Sequence, residues 1–172
     1  MNRNKKTFGL FGASKTGLSI AWNLYKTGEY IPKYLWNRSE DNLHKGADVV
    51  PFTNYSSDIE AFNYDVDWII ISVSDDAVEE VVNKICKNSP DLSITKIFHT
   101  SGMLTSKILK PLQKLGGKTG SLHPVCSIPN ITDGIKQISK AIFTCEGEIR
   151  DDLIKIAGLI SKEGILINSQ QN

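Results

Sequence analysis

Short apolar runs alternate along the chain with stretches in which apolar residues recur every three or four positions. Thr7–Phe11, Tyr34–Asn37, Val66–Val73, Ile94–His99, Thr119–His123 and Ala141–Cys145 read as strands, because β-branched and aromatic runs of this length between polar breaks favour extended backbone. Val66–Val73 is apolar enough for a strand covered on both faces. Thr16–Thr27 reads as a helix with Leu18, Ala21, Trp22 and Tyr25 on one face, and Gly28 stands where it would stop. A short polar helix is expected around Glu40–Lys45, then a weak strand at Ala47–Pro51. Asp75–Lys87 is a further helix with four carboxylates in its first turns, where the helix dipole favours them. Leu104–Leu115 reads as a helix that Pro111 should kink or shorten, and Ile149–Ser161 as the last one. This alternation predicts an α/β fold: a doubly wound, mostly parallel sheet in a single domain. Six or more strands are expected, with Phe8–Phe11 and Ile69–Val73 adjacent at the centre. The domain should span residues 1–167, with a polar tail at Asn168–Asn172.

Composition narrows the function classes. The chain has 172 residues, and 20 Lys plus Arg against 19 Asp plus Glu give a net charge of +1. Such balance supplies no field for a nucleic-acid backbone or an anionic membrane, so neither partner is expected. No apolar run approaches the ~18 residues of a membrane span. The basic start, Met1 to Thr7, lacks the apolar core of a secretion signal. Cys86, Cys126 and Cys145 are odd in number and form no CxxC pair, which suits reduced thiols in a cytoplasmic protein.

The sharpest local signal is Gly12-Ala13-Ser14-Lys15-Thr16-Gly17, between the first strand and the first helix. In the G-x-G-x-x-G turn the first glycine allows the tight turn, the second lets backbone approach a pyrophosphate, and the third lets helix and strand pack closely. The helix N-terminus adds free N–H groups and a partial positive charge. Here Ser14 replaces the second glycine. Its side chain either crowds the phosphates or donates to one of them. Two competing readings stay open. Gly9 to Thr16 resembles the phosphate loop of nucleotide hydrolases with serine in place of its last glycine, and a glycine-rich turn need hold no ligand at all.

About twenty residues on, a dinucleotide site specific for NAD carries a carboxylate on the ribose hydroxyls. The position is taken by Asn37-Arg38-Ser39, with Glu40 and Asp41 just beyond. A planar guanidinium suits a 2′-phosphate, so the expected cofactor is NADP. At later strand ends stand His99-Thr100-Ser101-Gly102 and Gly120-Ser121-Leu122-His123-Pro124. His123 is the candidate proton shuttle, since imidazole titrates near neutrality. Ser101 would orient a substrate oxygen or the nicotinamide, and His99 is expected in the same cleft. His99, His123 and Cys126 match no standard zinc spacing, so no metal is expected. His44 lies in a polar stretch and reads as solvated.

Phe8 through Gly17 followed by Asn37-Arg38-Ser39 resembles the N-terminal domain shared by pyrroline-5-carboxylate reductase and the 6-phosphogluconate and 3-hydroxyisobutyrate dehydrogenases. With Ser72-Val73-Ser74-Asp75-Asp76-Ala77, HTSG and SLHP added, the chain resembles a group of Rossmann-like NADP oxidoreductases that carry a C-terminal helical domain of unknown function. The serine and His-Pro positions are also similar to those of prephenate dehydrogenases. The resemblance implies cofactor contacts at Gly12, Ala13, Ser14, Lys15, Thr16, Gly17, Asn37, Arg38, Ser39, Val73 and Ser74, and catalytic roles for His123 and Ser101; His99 is a third catalytic candidate from its place at a strand end alone. It implies hydride transfer between NADP(H) and a small oxo, hydroxy or imino substrate, a Rossmann fold, and a homodimer formed through the helical domain, which would begin about where this chain ends. A non-catalytic dinucleotide sensor is the alternative, with a nucleotide hydrolase behind it.

Overall fold

The computed structural model describes residues 5–162 and the backbone strand at 165–167. In chain order the elements are β1 (Lys6–Phe11), α1 (Lys15–Lys26), β2 (Tyr30–Trp36), α2 (Glu40–Val49), β3 (Asn54–Ser56), β4 (Trp68–Ile71), α3 (Asp75–Lys87), β5 (Lys96–His99), α4 (Lys110–Gln113), β6 (Lys118–Val125), α5 (Ile131–Ile138), β7 (Ile142–Gly147), α6 (Arg150–Ile160) and β8 (Ile165–Ile167). The strands form one sheet in the order β3-β2-β1-β4-β5-β6-β7-β8. All neighbours run parallel except β6 and β7. The chain winds outward from β1 to β3, then returns to β4 and winds the other way. The carboxyl ends of β1 and β4 therefore meet at the point where the winding reverses, the crevice of a Rossmann-type sheet.

The central strands are apolar because both sheet faces are covered. Leu10, Ile70, Phe98 and Leu122 face one core, shared with Leu18, Ile20 and Leu24 of α1 and Leu153 and Ile156 of α6. Phe11, Ile69, Ile71 and Ile97 face a second core with Val78, Val81, Val82 and Ile85 of α3 and Leu112 of α4. Each fully buried side chain of this size contributes roughly 1.5–3 kcal/mol. The expected pairing of the first and fourth strands is observed, with Phe8–Phe11 in register with Trp68–Ile71.

Several elements differ from the sequence reading. The weak strand expected at Ala47–Pro51 is instead the last turn of α2 and its exit, and the pairing strand lies further on at Asn54–Ser56. Leu43 and Gly46 at helical spacing bury that helix, which outweighs the β-branched pair Val49-Val50. Leu104–Leu115 splits into a 3-10 turn at Ser106–Leu109 and a single α turn at Lys110–Gln113, because Pro111 has no N–H for a longer ladder. β2 begins at Tyr30 rather than Tyr34, with its register against β1 shifted between Phe8 and Gly9, opposite Pro32 and Tyr34. Pro32 is tolerated because β3 pairs only with Tyr34–Trp36, so that end of β2 is an edge. The face foreseen for α1 is partly shifted: Ser19 and Ile20 are buried while Tyr25 is exposed. Helix α5, not foreseen, packs there, and a Cβ on its Gly134 would meet Ser19 Oγ at 2.4 Å. The polar tail expected at Asn168–Asn172 lies outside the described residues. Among the described residues no helix is long and apolar enough to cross a membrane.

Candidate functional site

The site is built at the carboxyl ends of β1, β4, β5 and β6. Gly12 follows β1 directly with φ +104°, a conformation open to glycine at little cost. A Cβ there would stand 2.3 Å from the Ser72 carbonyl oxygen, so the loop can pass the end of β4 only without a side chain. The Gly12 N–H donates to the Trp36 carbonyl at 2.8 Å. The Ala13 N–H donates to Asn37 Oδ1 at 3.0 Å, and Asn37 Nδ2 donates to the Ser39 carbonyl at 2.9 Å. Asn37 thus ties the loop to the tip of β2. At the third glycine, a Cβ on Gly17 would come 2.7 Å from the Ser72 Cβ, which is the close helix–strand approach the motif requires.

Ser14 is the N-cap of α1: its Oγ accepts the Gly17 N–H at 2.9 Å. The same oxygen lies 2.7 Å from Ser72 Oγ, and Ser72 Oγ lies 2.7 Å from Thr100 Oγ1. Three hydroxyls therefore run from the first helix across the ends of β1, β4 and β5. Thr100 also connects to β6, because its carbonyl oxygen accepts from His123 Nδ1 at 3.0 Å. A carbonyl can only accept, so Nδ1 carries a proton, and in the neutral ring Nε2 keeps the lone pair.

Two cavities adjoin across the loop. The smaller, about 240 Å³, lies between the tips of β1, β2 and β4 and is lined by Gly12, Asn37, Arg38, Ser39, Val73 and Glu80 among others. The larger, about 790 Å³, runs over the start of α1 to Thr100, Ser101, Gly102 and His123. Ala13, Ser14, Asn42, Ser72, Val73 and Ser74 border both. Lys15 and Thr16 line the larger one beside the N–H groups of the first helical turn. The Lys15 ammonium donates to the Pro129 carbonyl at 2.6 Å and so holds the loop after β6 against the cavity.

Arg38 is mostly exposed, and its guanidinium lies 3.9 Å from Glu80, which bonds more closely to Lys84 at 2.8 Å. So loose a surface pair is worth ~0–1 kcal/mol and leaves the guanidinium free to turn toward an anion. Ser101 Oγ accepts the Met103 and Leu104 N–H groups, both at 3.1 Å, which shapes the turn and leaves its O–H to donate. Gly102 packs on the imidazole face, since a Cβ there would meet His123 Nε2 at 2.6 Å and Cε1 at 2.8 Å.

Ser101 and His123 come together on the larger cavity; His99, expected beside them, lines neither cavity. It is fully buried in β5, paired across the sheet with Ile71 and Ser121. Neither ring nitrogen has a hydrogen-bond partner of good geometry. Burial holds its pKa below the ordinary imidazole value, with the Thr105 backbone and the Glu146 and Asp75 carboxylates pulling the other way. His99 shares the face of Ile97 and of its register partner Ser121, within the sheet, whereas His123 stands two residues further along that same face, beyond the end of β5. Residues the sequence reading missed are Thr100, Ser72, Asn42, Lys45 and Glu80. The i, i+3 spacing of Asn42 and Lys45 at the start of a helix following Asn37-Arg38-Ser39 was the available signal. Among the described residues no three His, Cys, Asp or Glu side chains gather as a metal site.

The hydrolase reading of the loop fares poorly. Its lysine is engaged with Pro129, and Asp75 opens α3 behind the Ser74 cap.

No family model and no curated protein matches the sequence. Solved structures do match in fold. A Bacteroides fragilis protein named as an NADP oxidoreductase superposes with TM-score 0.81 at 19% identity, over 96% of this chain and 61% of its own. Prephenate dehydrogenase of A. aeolicus, in complex with hydroxyphenyl propionate and NAD+, gives 0.73 at 12% identity, over 98% and 60%. Pyrroline carboxylate reductase of Plasmodium falciparum, with NADP bound, gives 0.66 at 16% identity, over 97% and 59%. The fold is thus the Rossmann-type α/β fold seen in these oxidoreductases, and the chain spans about three-fifths of each of them.

Proposed function

We propose that this chain is the NADP-binding domain of an oxidoreductase that moves hydride to or from a small oxo, hydroxy or imino carbon. The observation that carries the proposal is the pair of adjoining cavities divided by the glycine loop, one ending at Arg38 and the other at His123. The residues fit a dinucleotide. Gly12 admits the backbone turn, the first turn of α1 offers N–H groups to the pyrophosphate, and Lys45 adds a cation at the same wall. Arg38 and Ser39 stand at the ribose end, where a guanidinium meets a 2′-phosphate with a bidentate fork. The nicotinamide supplies or accepts the hydride. His123 would hold or release the accompanying proton at Nε2, the nitrogen left free by the Thr100 carbonyl. Ser101, already an acceptor twice over, would donate its O–H to a substrate oxygen or nitrogen. The named relatives that bind NADP and NAD+ support the cofactor class. Three unpaired cysteines agree with a reducing, cytoplasmic setting.

Titration calorimetry with NADPH, NADH and Mg-ATP tests this directly. NADPH should bind more tightly than NADH, and Mg-ATP should not compete at similar concentration. Tight Mg-ATP binding without NADPH binding would overturn the proposal.

A further inference from the structure

The hydroxyls of Ser14, Ser72 and Thr100 form a chain whose direction the protein leaves unset. Either oxygen can donate across each of the two 2.7 Å links. A hydroxyl carries one proton and two lone pairs, so the direction of one link constrains the other. Ser14 Oγ already accepts the Gly17 N–H. If Ser14 also accepts from Ser72, its lone pairs are filled and its own proton must go elsewhere. Ser14 borders both cavities, beside Lys15, Thr16 and the helix N-terminus. An anion there would take that proton. Ser72 would then donate to Ser14, and Thr100 to Ser72. With its proton spent, Thr100 Oγ1 can only accept at the far end of the larger cavity, which it lines with Ser101 and His123.

We propose that the Ser14–Ser72–Thr100 hydroxyl chain is a polarity relay, in which a phosphate at Ser14 turns Thr100 Oγ1 into an acceptor for the carboxamide N–H of the nicotinamide. The inference rests on the dinucleotide reading and deepens it. It gives Ser14 a positive role where the loop motif has glycine, and it makes Thr100 a cofactor-positioning residue. Ser72 is the link: it is buried between the two ends and its hydroxyl touches both. Hydrogen-bonded chains polarise one another in such a sheltered setting, so the ends respond together.

The test uses two probes on the full chain: NADPH, which reaches both ends, and 2′-phospho-ADP-ribose, which lacks the nicotinamide. Thr100→Val should weaken NADPH by about five- to tenfold, the scale of one neutral hydrogen bond, and leave 2′-phospho-ADP-ribose unchanged. Thr100→Ser should restore NADPH affinity, because it restores the hydroxyl. In a Ser72→Ala background Thr100 keeps its hydroxyl but loses the partner that fixes its direction, so adding Thr100→Val should cost NADPH clearly less than it does in the unaltered chain. Equal losses for both probes, an unrescued Thr100→Ser, or multiplying effects of Ser72→Ala and Thr100→Val would each overturn the relay. If Ser72→Ala fails to fold, Ser72→Cys, of similar shape but a weak donor and acceptor, takes its place in the cycle. Wild-type protein that binds neither probe would refute the dinucleotide reading itself, which is a different outcome from binding with an inert Thr100.

Discussion

Gly102 lies so close to the imidazole of His123 that a Cβ on it would stand 2.6 Å from Nε2 and 2.8 Å from Cε1. The glycine backbone therefore forms one wall of the histidine's seat, and the Thr100 carbonyl holds the ring from Nδ1 at 3.0 Å. The two contacts come from consecutive parts of one loop, so the turn after β5 both orients the ring and fixes its tautomer.

This geometry predicts an NMR signature. In its neutral form His123 should carry its proton on Nδ1, with Nε2 showing the nitrogen shift of an unprotonated ring nitrogen. Gly102→Ala should move the ring and mix the tautomers while leaving the chain folded, because Gly102 is exposed at the loop. A wild-type spectrum with Nε2 protonated would contradict the arrangement.

Burial of His99 predicts a pH-dependent stability. Its folded pKa is lowered from 6.5 by desolvation. The unfolded chain therefore binds a proton that the folded chain refuses, and stability falls as pH drops below about 6.5 toward the folded value. Asp67 adds a second loss at lower pH. Burial alone would raise its carboxyl, but hydrogen bonds from the Thr7 backbone and hydroxyl, with Lys6, hold it below 3.8. That stability is present above 3.8 and disappears as pH falls through the lowered value. Urea unfolding of His99→Leu should lose the upper phase and keep the lower. An unchanged upper phase in that variant would show that another group causes it.

The contrast between His99 and His123 also shows what could be read from the chain beforehand. Both histidines sit at ends of apolar runs, and nothing in their spacing tells that one ring points into the sheet's core face while the other reaches the cavity. The answer depends on register: β6 continues to Val125, two residues beyond its histidine, while β5 stops at His99. The β1 turn, the β1–β4 pairing and the Asn37-Arg38-Ser39 tip were legible because each follows from local rules of turn, apolar run and strand-end position. Thr100 and Ser72 were not, since their roles exist only through hydroxyls from three separate strand ends. Helix α5 was missed although Asn130 caps it by accepting the Asp133 N–H at 2.9 Å, a local signal present in Asn130-Ile131-Thr132-Asp133.

Glu80 predicts a tunable cofactor preference. It lines the smaller cavity with Arg38 and lies 3.9 Å from the guanidinium. A carboxylate there repels a 2′-phosphate and competes for Arg38. Glu80→Gln should therefore tighten NADPH by up to about fivefold, the upper end for an exposed charge pair, with little change for NADH. Competitive titration of the two cofactors reads the ratio; a fall in NADPH affinity would mean that Glu80 positions Arg38 rather than opposing the phosphate.

The central claim is that the smaller cavity reads the 2′-phosphate of NADP through Arg38. Calorimetric titration of Arg38→Ala with NADPH and NADH, beside the unaltered chain, tests it most directly. A charge-assisted hydrogen bond is worth about 1.5–3 kcal/mol, so NADPH should bind about ten- to a hundredfold more weakly while NADH is nearly unaffected. Equal losses for the two cofactors, or no loss for either, would contradict it.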